Sequence, residues 1–492
     1  MEFISGEGRH QTIMLPDRVE DYVDDNNAVR VIDAYINSLN LFELGFAKPA
    51  PNDNGRPMYD PRDLLKLYVY GYLNRVRSSR RLETESKRNL EAIWLLGKLS
   101  PDHKTIARFR HDNGKALKNV FRDFAKLCVR LDLYGKELAA IDGSKFKAVN
   151  SRARNWTEQQ LKDKVAGIEE KMAAYLAELD IRDEDENAGS GEKSAVEIAN
   201  IVTELSESKG RYQGYVDELE RTGEKQKSLT DSDSRLMPSN GKMDVCYNVQ
   251  TAVDAKNKLI IDFEVTNQGN DKNFITPMAA AVQEMLGTEQ IAVVTDAGYE
   301  SIQDILASMG SGVEVHVAGT DFDVCVPTEE GEQTEIRWHH QGRCIHVAER
   351  NIALCPMGNV LYPAFHTKRK GGLAVYHNYG ACKQCACKCT ADKRGRFKYQ
   401  VPMAKSSFSK TYNDKDLVVK QIRIKPDKEK VKQRKSIVEH PFGTIKRGMD
   451  CGYCLTKGLK NVLGEFSLAF LAYNIKRAIN ILGIGKLIES MA

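Results

Sequence analysis

Residues Glu137 to Ala148, ELAAIDGSKFKA, and Gln290 to Ser301, QIAVVTDAGYES, decide how this chain is read. In each, a short apolar, β-prone run (Leu138 to Ile141, Ile291 to Val294) leads to an aspartate. Runs of this length bounded by turn residues read as buried strands, which puts Asp142 and Asp296 at two C-terminal strand tips. A third acid, Glu439 in RKSIVEHPFGTIKRG (Arg434 to Gly448), is expected to open a helix. Read singly, these acids are ordinary, because Asp forms turns and Glu suits a helix's first turn. Brought together, they supply the hard oxygen ligands that Mg2+ takes from only a few protein groups. Two such ions activate the attacking oxygen and stabilise the leaving oxygen of a phosphodiester.

Outward from Asp142, apolar and charged residues alternate at helical period from Thr157 to Leu179 and from Ala195 to Leu219, predicting a helical hairpin. DVCYNVQTAVD and LIIDFEVTNQ follow, joined by AKNK, as an antiparallel strand pair. Next come a helix from Phe274 to Met285, the Asp296 strand, a helix from Ser301 to Met309 and the strand GVEVHVAG. This order predicts an α/β (α+β) multidomain chain built on a mixed sheet with helices on its faces. Asn270 and Asp271 are read as caps of the Phe274 helix, and Asp231 and Asp233 as local hydrogen-bonding residues.

The first 130 or so residues are predicted helical, with Pro61 starting one helix, Ser100 and Pro101 starting another, and Gly114 dividing the last two. The expected organisation is a helical DNA-binding domain (1–130) and a catalytic domain (131–492). The latter carries a helical-hairpin insertion (151–230) and a Cys-rich insertion (320–428). At 492 residues the chain exceeds one core, and 41% apolar residues are ample to fill several. Net charge is only +4, but from Arg62 to Arg130 basic residues outnumber acidic ones roughly two to one. Arg75, Arg77, Arg80, Arg81, Lys104, Arg108 and Arg110 are therefore expected on a DNA-facing surface, contacting phosphates. The late apolar segment is interrupted by Glu465, Lys476 and Arg477 and reads as a core helix, so no membrane partner is expected. No export signal is evident and the 11 cysteines are expected reduced, in a cytoplasmic protein.

The constellation resembles the DDE-type transposases of bacterial insertion sequences, whose catalytic core is RNase H-like. In that family one Asp ends the first core strand, another ends the fourth, and a Glu lies on a later helix after a variable insertion; Asp142, Asp296 and Glu439 fall at those places. GRPMYDPRDLLKLYVYGYLNRVRSSRRLE with SPDHKTIARFR is similar to the N-terminal domain of many of these enzymes, and LTDSDSRLM, YNVQTAVD and LAYNIKRA to their core. The resemblance implies two Mg2+ (or Mn2+) ions held by Asp142, Asp296 and Glu439. It also implies hydrolysis at the element's ends, attack of the freed 3′-hydroxyl on target DNA, and a homodimer bridging both ends. Double-stranded DNA, as transposon ends and target, is the expected partner, so the protein is expected to be nucleoid-associated when bound. One departure concerns the Tyr and Arg that often precede the family's Glu: Lys432 and Lys435 stand there, while Lys446 keeps the downstream Lys place. Arg434, Lys435 and Lys446 still offer positive charge to a phosphate.

Cys382, Cys385, Cys387 and Cys389 in ACKQCACKCT, with Cys355 in ALCPMGN and Cys344 upstream, have spacings that suit a structural Zn2+. The candidate set is Cys355, Cys382, Cys385 and either Cys387 or Cys389. A metal-dependent nuclease without strand transfer, and an inactive DNA-binding derivative, remain alternative functions.

Overall fold

The computed structural model describes residues 18–47, 58–184, 195–239, 241–327, 336–338, 344–347, 350–364, 373–385, 395–400 and 417–491. The N-terminal part is helical: α1 (Ala28–Ser38), α2 (Pro61–Leu73), α3 (Ser79–Arg88), α4 (Leu90–Leu95), α5 (His103–Asp112) and α6 (Gly114–Arg130). Pro61 occupies the first turn of α2 behind Asp60, whose side chain accepts from Arg62 N. The expected start at Ser100 and Pro101 is displaced. Asp102 caps α5 by accepting from the N–H groups of Lys104 and Thr105, because a carboxylate satisfies two orphan donors at once.

β1 (Leu138–Lys147) and β2 (Asn155–Thr157) precede the hairpin of α7 (Glu158–Glu184) and α8 (Ala195–Thr222), and β3 (Gln226–Ser228) pairs with β2 at its base. The main sheet adds β4 (Arg235–Ser239), β5 (Lys242–Asp254), β6 (Ile260–Thr266), β7 (Ile291–Thr295) and β8 (Val313–Val317), with α9 (Ile275–Leu286) and α10 (Ile302–Gly310) between them. β5 is long enough to pair with both β4 and β6, at different registers, while its whole C-terminal part lies antiparallel to β1. β1, β7 and β8 run parallel. The path is thus β6-β5-β1-β7-β8, three antiparallel strands followed by two parallel ones. All of β7 and the first four residues of β1 are buried, as helix-covered parallel strands require.

The Cys-rich region folds into short strands: β9 (Phe322–Pro327), β10 (Ile336–Trp338), β11 (Ile345–Val347), β12 (Ile352–Leu354), β13 (Val360–Pro363) and β14 (Leu373–His377). After them come α11 (Tyr379–Gln384), β15 (Phe397–Gln400) and β16 (Val419–Ile424). β10 to β15 form an antiparallel meander, and β16 returns to pair with β9. The chain closes with α12 (Lys428–Gly443), α13 (Leu459–Leu482) and α14 (Ile484–Glu489). Buried α13 packs on α6, α2 and β6, so the N-terminal helices and the sheet share one continuous hydrophobic core. Among the described residues, no helix is long and apolar enough to cross a membrane.

Candidate active site

Asp142 lies within β1 rather than at its tip. β1 continues its antiparallel pairing with β5 as far as Lys147, whereas its parallel pairing with β7 ends at Ala140. Asp142 therefore stands where one neighbour falls away and a side chain gains access. Asp296 does follow the last residue of β7, and its Oδ1 accepts from Gly298 N at 2.8 Å. Glu439 sits near the end of α12, not its beginning. Asp427 caps that helix twelve positions earlier by accepting from Glu429 and Lys430, and the basic run that follows is all helical.

Asp142 and Glu439 line one cavity of about 500 Å³ with Phe442, Gly443, Lys446 and Arg447. Arg434 Nη1 approaches Asp142 Oδ1 at 3.4 Å, and Lys435 Nζ approaches Glu439 at 3.8 Å. Lys446 Nζ donates to Ser144 Oγ at 2.6 Å and stands 4.5 Å from the Phe146 ring centroid. Burial lowers its pKa, while Cys246 and Asp142 oppose that shift. A larger cavity of about 960 Å³ lies at the opposite end of the sheet, by Leu138, Ile291 and Val313. Open α/β sheets place their chemistry at the carboxyl ends of parallel strands, which favours the smaller cavity.

Burial pushes the Asp142 carboxyl up to about 6; Arg434 pulls it down, and the charges of Asp296 and Asp271 add to the rise. The folded value exceeds the ordinary 3.8, so between these pH values the folded chain holds a proton the unfolded chain has lost. Stability therefore falls as pH rises through this window, by on the order of 2 to 3 kcal/mol. Asp142→Asn is expected to stabilise the metal-free chain at pH 7.5, with the gain fading by pH 4. Urea unfolding at both values measures it, and an equal gain at both would remove the electrostatic explanation.

The donor chemistry suits a divalent cation: every candidate ligand is a carboxylate, and the Asp142 carboxyl, raised first by burial, is raised further by the charges of Asp296 and Asp271. Among the described residues, however, no three His, Cys, Asp or Glu side chains are grouped as a metal-holding set. Arg434 is the counter-charge beside Asp142, so ligation requires that guanidinium to withdraw.

Other expected site residues divide. Arg75, Arg80, Arg81, Lys104 and Arg108 are exposed. Arg77 and Arg110 are buried, which corrects their assignment to a DNA-facing surface. Arg77 donates to Tyr453 O at 2.9 Å and pairs with Glu465, while Arg110 packs over Tyr68 and reaches Tyr72 Oη. Cys344, Cys355 and Cys382 meet in a small apolar core with Tyr376 and Phe397; Cys385 is half-buried, and Cys387 and Cys389 lie outside the described residues.

Three further acids are placed differently from their sequence readings. The Asp231 side chain accepts from Tyr247 Oη and Gly458 N, and that of Asp233 from Leu459 N, so both side chains tie the start of α13, while the Asp231 carbonyl also closes its own turn by accepting from Ser234. Asp271 does not cap α9, because Asp304 accepts from Ile275 N and Thr276 N. Asp271 instead faces the site, its Oδ1 accepting from Lys145 Nζ, Asn248 Nδ2 and Gln250 Nε2 at 2.9, 2.8 and 2.7 Å.

A site of strand-borne carboxylates facing a helical carboxylate, with basic side chains around it, defines a class suited to phosphodiester chemistry. Residues 17–112 match a family described as a transposase domain, and residues 354–479 match one described as a transposase DDE domain. Both matches are to transposase families, and the second is to their DDE domain. A solved structure, a cryo-EM piggyBac transposase synaptic complex with hairpin DNA, aligns over 95% of this chain and 79% of that one, with 7% identity and TM-score 0.30. No curated protein matches the chain.

Proposed function

We propose that this protein binds the inverted-repeat ends of its own element, cleaves them by two-metal hydrolysis and joins the 3′ ends to target DNA. The observation that supports this reading is the placement of Asp142 and Asp296 on neighbouring parallel strands, with Glu439 lining the Asp142 cavity. The strand path β6-β5-β1-β7-β8 supports an RNase H-like core, with Asp142 inside the first core strand in chain order and Asp296 just after the fourth. In the proposed scheme Asp142, Asp296 and Glu439 would hold two Mg2+ ions, which would supply Lewis acidity when bound.

The chain's own residues do the remaining work. Lys446 is fixed by Ser144 and the Phe146 ring, which presents its charge to a phosphate entering beside Asp142 and Glu439. Arg434, on releasing Asp142, offers a second cation to that phosphate. Phosphoryl transfer needs mainly positioning and charge neutralisation, and these groups supply both. Arg75, Arg80, Arg81, Lys104 and Arg108 contact the duplex backbone, and a homodimer bridges the two ends.

Incubating the protein with labelled element-end duplexes, target plasmid and Mg2+ tests the scheme. Cleavage exposing 3′-hydroxyls followed by joined products is expected. Cleavage without joining supports the nuclease alternative, and binding without cleavage supports the inactive derivative.

A further inference from the structure

We infer that Asp271 is a fourth carboxylate of the metal-binding pocket, positioned to accept a divalent cation alongside Asp142 and Asp296; this rests on the proposed function above. Asp271 lies in the loop between β6 and α9, and its charge acts on Asp142 and on Tyr299 together with that of Asp296. Two glycines fix its place. A Cβ on Gly143, the residue after Asp142, would come within 2.5 Å of Asp271 Oδ1, and one on Gly298 would lie 3.0 Å from Asp296 Oδ1 and 3.8 Å from Asp271 Oδ2. Asp271 therefore spans the space between the two strand-borne aspartates.

Its two oxygens have different surroundings. Oδ1 takes three donors, from Lys145, Asn248 and Gln250, which anchor the carboxylate. Oδ2 is directed toward the Asp296 turn, where a hard cation between the acids would find it. A second observation points to a ligand at the same place. Asn248 is fully buried, yet its Oδ1 has no hydrogen-bond partner and lies 3.1 Å from the Gly143 Cβ position. A buried amide oxygen without a donor is uncommon, and a bound ion or water is one arrangement that satisfies it. Carboxylate ligands are commonly held by such anchoring hydrogen bonds, and the Lys145, Asn248 and Gln250 set would fill that role here.

The test is the rise in thermal midpoint produced by Mn2+ or Ca2+, because an ion that binds only the folded chain stabilises it by mass action. The full-length protein is compared with Asp142→Asn, Asp271→Asn and Lys145→Gln, each with and without the ion. We expect the metal-induced shift to be lost in Asp142→Asn, to fall by at least half in Asp271→Asn, and to persist in Lys145→Gln. Lys145→Gln removes a partner of Asp271 but keeps the carboxylate, so a merely structural role would make these two variants behave alike. A full shift in Asp271→Asn with none in Asp142→Asn overturns this inference and leaves the active-site reading standing. No shift in the unaltered protein overturns both. Should Asp271→Asn fold poorly without metal, isothermal calorimetry of Mn2+ binding to Asp271→Ser and Gln250→Ala decides. Binding weakened tenfold or more only in Asp271→Ser upholds the inference, and equal affinities overturn it.

Discussion

On the proposed scheme Glu439→Gln is expected to lower strand cleavage at the element's ends by at least about a thousandfold, equivalent to about 4 kcal/mol of transition-state stabilisation, while element-end binding is retained. Asp142→Asn behaves the same way. Neither substitution alters volume appreciably, and Glu439 is exposed on the wall of the cavity, so its loss removes charge without disturbing packing. The DNA-binding surface proposed on α3 and α5 is built from other residues and stays intact. Single-turnover cleavage of a labelled end, beside a mobility-shift titration, separates the two effects. Residual cleavage within tenfold of the unaltered protein in either variant would remove these carboxylates from the reaction. Asp142→Asn carries a further signature: the same substitution that stops cleavage stabilises the metal-free fold at neutral pH. Burying a carboxylate beside other acids works against folding stability.

What the sequence carried was periodicity. Apolar runs located β1 and β7, the alternation around AKNK located β5 and β6, and the helical period located α7 and α8 on either side of the acidic linker. What it carried poorly was the position of a residue within its element. Asp142 falls inside β1 because β5 extends the strand beyond the reach of β7, a pairing that local pattern does not contain. Glu439 suits a helix's first turn by its residue type, but Asp427 is the stronger cap and the basic run continues the helix from there. Long-range partners were invisible. Asp271 precedes a helix and looks like its cap, yet Asp304 performs that task and leaves Asp271 turned toward Asp142. Arg77 lies in a basic stretch and was assigned to the surface, because nothing near it in sequence announces a carboxylate 388 residues away.

That distant carboxylate sets the largest stability effect expected in the molecule. Glu465→Ala destabilises the fold by about 3 to 5 kcal/mol, because it leaves a buried guanidinium without its counter-charge and removes acceptors from buried donors. Glu465 and Arg77 are 2% and 4% exposed, so solvent cannot take over either role. The carboxylate accepts from Arg77 Nη1 at 3.2 Å, Leu455 N at 2.9 Å, Thr456 N at 3.1 Å and Thr456 Oγ1 at 2.8 Å. These partners come from the α2–α3 turn and from the segment joining the Glu439 helix to α13, so one side chain fastens the N-terminal helices to the catalytic end of the chain. Replacing both ions, as Arg77→Met with Glu465→Leu, is expected to recover part of the loss. The unpaired guanidinium disappears, but the N–H groups of Leu455 and Thr456 remain without their acceptor. Chemical denaturation of the single and double variants measures the coupling. A single-variant loss below about 1 kcal/mol would mean that Arg77 escapes to water, and the packing of α2 against α13 would then need another source of stability.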